Sequence, residues 1–416
     1  MAVVTVGALF ALSGCATSPG AGGAASTNAA SVPKYAAALQ GKVPAVMKSI
    51  AMPGAVVLIK SPKQGDWSGT FGTAVLGKKV PMSLKDYFRI GSNTKTMTST
   101  VILQLVQEGK LSLDDPISKF RPDVPDGQNI TIAQLSEMRS GLFSYTFDPG
   151  FNATLDADPG KAWTPDELLA IAFTHPADFA SGAKYEYSNT NIVLLGTVIE
   201  KLTGMTVSEA FQKRIFDPLG LKRTSLPVNT DSSIPDPHPQ GYQFGTNVAT
   251  IDSYAVPAAQ LPAALNGTLK PLNQTDANPS WAWTAGGAIS TPDDLAVYVK
   301  ALVHGGLLNA KMQKLRLNSF LPIAPGQPKG LGYGLGIVEF APGIIGHDGQ
   351  LPGYSTFMAY NNTTGDTIIV ATNLAASPVD GNNAAVVVAK TILATLYGSS
   401  VVPKSDPAAP AATPTP

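Results

Sequence analysis

Apolar residues form strand-length runs near both ends of the chain. These runs lie at residues 55–60, 69–76, 333–340, 354–360 and 366–372. Their length and their content of β-branched and aromatic residues predict β-strands. Residues 361–365 contain two asparagines and a glycine, which predicts a hairpin turn between the last two strands. Because strands and helices do not alternate regularly, we expect an antiparallel sheet to which both ends of the chain contribute.

Helical spacing of apolar residues dominates the region between the early and the late strands. Helices are predicted at residues 164–173, 190–201, 206–214, 291–303 and 382–397. The fourth has Ser290 or Thr291 as its cap and Pro292 in its first turn, which is a typical helix start. We expect the last helix to pack on the sheet, and the resulting fold class is α+β.

A further apolar segment, residues 96–107, begins directly after a serine and a lysine three positions apart, Ser92 and Lys95. Residues three apart on a helix share a face, so the two side chains can touch. The start of a helix favours an anion and disfavours a cation, and burial lowers a lysine pKa further. Ser92 is therefore a candidate nucleophile and Lys95 a candidate base. The alternative is that Ser92 is only an N-cap and Lys95 is solvated.

Composition narrows the class of protein. The 416 residues are 44% apolar and 14% charged, which predicts a large buried core. Lysine and arginine together equal aspartate and glutamate, 29 each, and no basic block occurs, so we expect no nucleic-acid partner. No window of 18 apolar residues predicts a transmembrane helix.

The first part of the chain contains its one cysteine, Cys15, preceded by Leu12, Ser13 and Gly14. This sequence resembles a bacterial lipobox. The interpretation is a lipoprotein signal peptide at residues 1–15 and a flexible tether at residues 16–34. The protein would then be anchored by lipid to the cell membrane, outside the cytoplasm. The alternative is an ordinary buried cysteine, since the segment before it lacks lysine and arginine. At the other end, residues 399–416 are rich in proline and alanine and predict a disordered tail.

Two further motifs follow the Ser-x-x-Lys pair along the chain. They are Tyr187-Ser188-Asn189 and His347-Asp348-Gly349. With these, the chain resembles the serine β-lactamase and penicillin-binding protein superfamily. It is most similar in pattern to class C β-lactamases, serine DD-peptidases and related esterases, which use Tyr-x-Asn and then Lys- or His-x-Gly. Segments 132–142, 215–221 and 285–291 also look like landmarks of that family, and together the marks cover roughly residues 40–398.

The resemblance implies a domain at residues 35–398, with an inserted, mainly helical subdomain facing the sheet across an active-site cleft. It also implies roles for the first two motifs. Ser92 would be the nucleophile that forms an acyl-enzyme, and Lys95 would be its base. Tyr187 would assist as acid or base. Asn189 would bind the amide carbonyl of the substrate and help to hold Lys95.

The third motif carries four further expectations. The backbone N–H groups of Ser92 and Gln350 would form the oxyanion hole, and Gly349 would allow close backbone approach. His347, when protonated, would donate to Tyr187 or to a substrate carboxylate. Asp348 departs from the family pattern, because a hydroxyl residue often binds a substrate carboxylate there. An anion at this position disfavours penicillins and free D-Ala-D-Ala termini.

These residues predict a serine hydrolase, in the first instance a D-alanyl-D-alanine carboxypeptidase acting on peptidoglycan-type peptides. The alternatives are an esterase or weak β-lactamase of the same family, and a non-catalytic module that binds a ligand or the cell wall. No Gly-x-Ser-x-Gly occurs, which argues against an α/β-hydrolase. His175, His238 and His304 are widely spaced, so we expect neither a metal nor another cofactor. We expect a monomer acting on a small molecule or peptide.

Overall fold

The structure is a computed structural model that describes residues 32–324, 326–327 and 331–401. Cys15, the predicted signal peptide, most of the predicted tether and the tail beyond residue 401 lie outside the described residues. The predicted lipid anchor and disordered tail therefore stay predictions.

The strands gather mainly into one sheet. They are β1 Gly54–Lys60, β2 Trp67–Gly72, β3 Phe88–Arg89, β4 Tyr242–Gln243, β5 Leu272–Asn273, β6 Ile289–Ser290, β7 Gly332–Tyr333, β8 Val338–Ala341, β9 Ile344–Leu351, β10 Tyr354–Asn361 and β11 Thr367–Thr372. Within the described residues, seven of them form a sheet in the order β2-β1-β11-β10-β9-β8-β7. Each neighbouring pair is antiparallel. The strand β1 from the beginning of the chain pairs with β11 from its end, as predicted.

The helices lie on both faces of the sheet and in a separate cluster. They are α1 Lys34–Ser49, α2 Asn93–Gln107, α3 Ile132–Ser136, α4 Pro149–Ala157, α5 Pro165–Phe173, α6 Asn189–Thr203, α7 Val207–Phe211, α8 Asp217–Leu219, α9 Leu261–Asn266, α10 Trp283–Gly286, α11 Pro292–His304, α12 Ala310–Leu317 and α13 Ala384–Tyr397. Within the parts that the structure describes, no helix is both long and apolar enough to cross a membrane.

Both faces of the sheet are covered, because every residue of β10 and β11 is buried. Helix α13 packs on these strands and against α1, whereas α11 contacts the same strands together with β1 and β9. The inserted helices surround α2 and α6, which pack against each other. Helix α2 also contacts β9 and β10, so the helical cluster meets the sheet where the first and third motifs lie.

The structure differs from the predicted elements in several places. The predicted strand 333–340 is two strands, because Gly336 turns with φ +69° and donates its N–H to Ser136 O at 3.1 Å. The predicted helix 206–214 ends as an α-helix at Phe211 and continues with π-helical geometry over Gln212–Phe216. Helix α1 was not predicted, and it begins at Lys34, the last residue of the predicted tether. The hairpin turn at residues 361–365 is confirmed, since Gly365 N donates to Asn361 O at 2.8 Å.

Candidate active site

Ser92 lies directly before Asn93, the first residue of α2, where the chain leaves β3 through a turn at Gly91. Gly91 has φ +52°, a conformation that favours glycine. Ser92 makes no side-chain hydrogen bond to the backbone of the helix. Instead its Oγ lies 2.9 Å from Lys95 Nζ, which is the contact predicted from the three-residue spacing. The alternative of an N-capping serine beside a solvated lysine is therefore wrong.

Lys95 is fully buried and its Nζ has three oxygen partners. Besides Ser92 Oγ, these are Asn189 Oδ1 at 2.6 Å and the carbonyl oxygen of Ala285 at 2.7 Å. Burial lowers the Lys95 pKa well below its ordinary value, although the negative charge of Asp348 acts in the opposite direction. A neutral amine has two N–H groups and one lone pair. Asn189 Oδ1 and Ala285 O can only accept, so they take both N–H groups and leave the lone pair facing the Ser92 hydroxyl.

Tyr187 lies beside Ser92 and Lys95, in the loop before α6. Its ring centroid lies 4.8 Å from Lys95 Nζ. The buried phenol interacts with the Ser92 hydroxyl without reaching the distance and angle of a regular hydrogen bond. Burial, followed by the neighbouring Tyr333, raises the Tyr187 pKa well above its ordinary value. The free enzyme thus holds Tyr187 as a neutral phenol, which suits a proton donor better than a base.

Two residues of one loop, Ser144 and Thr146, orient Asn189. Its backbone N–H donates to Ser144 Oγ at 3.1 Å, and its Nδ2 donates to Thr146 Oγ1 at 3.2 Å. Because the amide nitrogen is engaged by Thr146, the amide oxygen is the atom that faces Lys95. The structure thus brings Asn189 to Lys95 as the resemblance implied.

The third motif lies on the half of β9 beyond its pairing with β8, which involves only Ile344–Gly346 on the β9 side. A Cβ on Gly349 would overlap the carbonyl oxygen of Ile90, so only glycine permits this approach. A Cβ on Gly91 would likewise meet the backbone nitrogen of Gln350. The backbone N–H groups of Ser92 and Gln350 therefore belong to segments that lie directly against each other. This placement is compatible with the expected oxyanion hole.

The expected role of His347 as a protonated donor is wrong. Its side chain is fully buried, and this burial is the largest of the causes that lower its pKa to about 3. Nδ1 lies 2.5 Å from the carbonyl oxygen of Asp348, and Nε2 lies 3.1 Å from the hydroxyl of Tyr333. Since a carbonyl can only accept, the proton is on Nδ1, and Tyr333 donates to Nε2. His347 thus supports the strand as a neutral ring and does not face the substrate space.

A cavity opens in front of Ser92, and its lining combines apolar side chains, neutral polar ones and the acid Asp348. The apolar side chains are Phe147, Phe151, Leu155, Ile251, Trp281 and Leu351. The polar ones include Tyr187, Asn189, Asn247, Gln350 and Asn383. Phe151 and Trp281 pack edge to face, with ring centroids 6.0 Å apart. The cavity can therefore enclose a hydrophobic group next to the serine.

Comparison with known proteins decides the family. A family model described as Beta-lactamase matches residues 39–392. The chain belongs to the beta-lactamase family. It is a serine hydrolase with the beta-lactamase and transpeptidase fold, as its three motifs and its sheet predicted.

Solved structures within the beta-lactamase fold are similar over most of the chain. A D-stereospecific amidohydrolase from Streptomyces sp. is 33% identical with a TM-score of 0.72, covering 87% of this chain and 99% of that one. The D-amino acid amidase from Ochrobactrum anthropi SV3, complexed with D-phenylalanine, is 25% identical with a TM-score of 0.70 and the same coverage.

The matches to curated relatives span a smaller share of the relatives' own length. The putative penicillin-binding protein PbpX of Bacillus subtilis is 23% identical over 330 residues, which is 79% of this chain and 72% of PbpX. Other curated relatives that are 26% identical over 330 residues are matched over only 60% of their own length.

Two residues of this beta-lactamase-family site escaped the sequence analysis. Asn383 caps α13 and also donates to Asp348 Oδ2 at 3.1 Å, and Tyr333 holds His347. The start of the helix after residue 382 was predicted, so Asn383 was recognisable as a cap. Its hydrogen bond to Asp348 was not recognisable, because 35 residues separate the two in the chain.

Proposed function

We propose that this protein hydrolyses the amide bond of D-amino acid derivatives through an acyl-enzyme on Ser92. The observation that carries the chemistry is the position of Lys95, whose lone pair faces Ser92 Oγ at 2.9 Å while its pKa is lowered by burial. A base must be neutral to accept a proton, and burial shifts this lysine towards its neutral form.

The proposed steps follow from the placement of each group. Lys95 takes the proton of Ser92 Oγ as the oxygen attacks the carbonyl carbon of the substrate. The backbone N–H groups of Ser92 and Gln350 stabilise the negative oxygen that forms. When the C–N bond breaks, Tyr187 donates its proton to the leaving amine and is reprotonated from Lys95. Water then attacks the acyl carbon and gives a proton to Lys95, the ester bond to Ser92 Oγ breaks, and Lys95 returns the proton to Ser92 Oγ.

The substrate class is supported by two observations. The wall formed by Phe151, Leu155 and Trp281 suits an apolar side chain beside the reacting carbonyl. The similar solved structures include a D-stereospecific amidohydrolase and a D-amino acid amidase. Carboxypeptidase activity on D-alanyl-D-alanine and esterase activity would use the same steps, so the test includes both bond types.

The test is hydrolysis of D- and L-phenylalanine amide by the full-length chain, with phenylalanine measured by chiral chromatography. We expect preference for the D-enantiomer. Ser92→Ala should lower the rate by roughly a thousandfold or more, because the nucleophile is lost. Ser68→Ala is a matched control, since Ser68 is an exposed residue on the edge strand β2.

Intact mass spectrometry with a fluorophosphonate should show an adduct that is absent from Ser92→Ala. Equal rates for both enantiomers, or no hydrolysis of either amide, would contradict the proposal. Release of D-alanine from an acylated D-alanyl-D-alanine peptide without amide hydrolysis would favour the carboxypeptidase instead.

A further inference from the structure

One wall of the cavity in front of Ser92 combines apolar side chains with two asparagines. Helix α4 and the segment after β4 supply it, and the residues that we group as the α4 wall are Phe151, Asn152, Leu155, Asn247 and Ile251. An apolar part of the substrate can pack on the hydrophobic members, whereas the two amides can form hydrogen bonds. The end of each amide that is free for a ligand therefore decides what the wall selects.

The amide of Asn152 offers its oxygen to the cavity. Its Nδ2 donates both N–H groups to the protein, one to the carbonyl oxygen of Thr146 and one to that of Asp148, each at 2.9 Å. Because a carbonyl oxygen can only accept, these two contacts fix which end of the amide is the nitrogen. Among the described residues, none donates to Asn152 Oδ1, so this oxygen is the polar atom that the side chain presents to a ligand.

The amide of Asn247 is oriented in the same way by an acid on α4. Asp156 Oδ1 accepts from the backbone N–H of Asn247 at 2.7 Å and from its Nδ2 at 2.8 Å, and Asp156 Oδ2 accepts from the N–H of Val248 at 3.0 Å. The carboxylate thus takes the nitrogen end of this amide. Asn247 Oδ1 likewise has no donor in the part of the chain that the structure describes. Asp156 itself does not line the cavity.

The two amide oxygens belong to the same corner of the cavity. Asn152 and Asp156 are four residues apart on α4, so their side chains are neighbours on one face of the helix. Asp156 in turn holds the amide of Asn247 at that face. The corner therefore presents two hydrogen-bond acceptors.

This corner lies further from the nucleophile than the rest of the substrate-binding groups. Asn189 contacts Lys95 with its amide oxygen and Thr146 Oγ1 with its amide nitrogen. The carbonyl oxygen of Thr146 is the next atom along, and it accepts from Asn152. Asn189 and Thr146 thus stand between Asn152 and the pair of Ser92 and Lys95. The far end of a substrate side chain is consequently closer to the two oxygens than a group on the α-carbon.

We propose that the α4 wall binds the substrate side chain and that Asn152 Oδ1 and Asn247 Oδ1 select an aromatic ring with an O–H or N–H donor at its far end. This inference rests on the proposed function and narrows its substrate class to D-tyrosyl and D-tryptophanyl amides. A purely apolar ring of the same size would cover both oxygens without offering a proton, and an acceptor that loses water without gaining a donor costs free energy. Asn247 is thus a specificity-determining residue, and Asp156 is a positioning residue that acts through it.

The test compares two esters of equal size, D-tyrosine methyl ester and 4-methyl-D-phenylalanine methyl ester, in which a hydroxyl replaces a methyl group. Esters report acyl transfer even where an amide is not cleaved. We expect the wild type to prefer the tyrosine ester by about 5- to 100-fold in kcat/KM, the range for an acceptor left without a donor.

Variants assign this preference to the corner. Asn247→Ala should lower it, Asp156→Ala should lower it to a similar extent, and the double variant should lower it no further, because Asp156 acts through Asn247. Asn362→Ala is the matched control and should keep the preference, since Asn362 is exposed in the turn between β10 and β11 and does not line the cavity. Asn152 is kept, because its Nδ2 also holds the loop of Thr146.

A second measurement uses the wild-type chain and requires no turnover. D-Tyrosinol and 4-methyl-D-phenylalaninol differ by the same hydroxyl, and each can protect Ser92 from labelling by a fluorophosphonate. D-Tyrosinol should protect at a concentration at least about fivefold lower.

Equal rates for the two esters in the wild type, an unchanged preference in Asn247→Ala, or equal protection by the two alcohols would overturn the inference. A preference that is lost in Asn247→Ala but kept in Asp156→Ala would overturn the positioning role of Asp156. Discrimination between the esters without hydrolysis of D-tyrosine amide or D-phenylalanine amide would instead contradict the proposed amidase function and leave the selection by the α4 wall standing.

Discussion

The buried histidine of the third motif makes the stability of this protein depend on pH in a defined direction. His347 is held neutral between the carbonyl oxygen of Asp348 and the hydroxyl of Tyr333, with its pKa lowered from 6.5 to about 3. In the unfolded chain the ring titrates near its ordinary value. Between these two values the unfolded state binds a proton that the folded state does not. The free energy of unfolding therefore falls as the pH drops from about 6.5 towards about 3, and the contribution is complete above 6.5.

The magnitude follows from the size of the pKa difference. One group that binds a proton only in the unfolded state changes the free energy of unfolding by about 1.4 kcal/mol per pH unit. Over the whole interval His347 contributes about 5 kcal/mol, which is comparable to the total stability of many domains. Between pH 6.5 and 5.0 the expected loss from this residue is about 2 kcal/mol.

Urea unfolding of wild type and His347→Gln at pH 7.5, 6.5 and 5.0 measures this contribution. Glutamine retains an amide that can donate and accept, but it cannot titrate. The wild type should lose about 2 kcal/mol more than the variant between pH 6.5 and 5.0, whereas other titrating groups are common to both chains. His304→Gln is the matched control, since His304 is exposed at the end of α11, and it should follow the wild type. Parallel losses in the wild type and His347→Gln would refute the argument that the fold holds this ring neutral.

Three further predictions concern the base, the close contact of the third motif and the N-terminal segment. Lys95→Met should slow fluorophosphonate labelling of the nucleophile about 10²- to 10⁴-fold with an unchanged circular dichroism spectrum, because the proton acceptor is lost; labelling at the wild-type rate would exclude Lys95 as the base. Gly349→Ala should lower the free energy of unfolding by about 1–3 kcal/mol in the same urea assay, because the added Cβ would overlap the carbonyl oxygen of Ile90. Gly41→Ala in helix α1 is the matched comparison, because its added Cβ meets nothing within 4 Å. It should raise the free energy of unfolding by about 0.5–1 kcal/mol. Cys15→Ser should move the protein from the membrane to the soluble fraction if the lipobox is used, and an unchanged distribution on fractionation would argue against the anchor.

Local patterns in the sequence were sufficient for much of the fold and for the first contact of the site. Alternation and turn residues predicted the hairpin of β10 and β11, and the cap at Thr291 predicted the start of α11. The three-residue spacing of Ser92 and Lys95 predicted their contact. These features succeed because they depend on residues within one or two turns of each other.

Other features depended on residues far apart in the chain. The break of the predicted strand 333–340 results from Gly336 donating to Ser136, and local alternation contains no sign of that contact. The same holds for Ala285, whose carbonyl oxygen accepts a hydrogen bond from Lys95, 190 positions away in the chain. The sequence therefore indicated the candidate groups, but it did not indicate these distant partners.

The charge state of the site was decided only by the tertiary structure. The sequence showed an acid and a histidine in the third motif, and the natural expectation was a protonated His347 facing the substrate. Complete burial makes that ring neutral, whereas Asp348 lies at the cavity wall with Asn383 as its donor. The sequence determined which ionisable groups are present and roughly where they lie. Only the packing of distant segments determined which of them lose water, and desolvation is what decides whether a buried group keeps its charge.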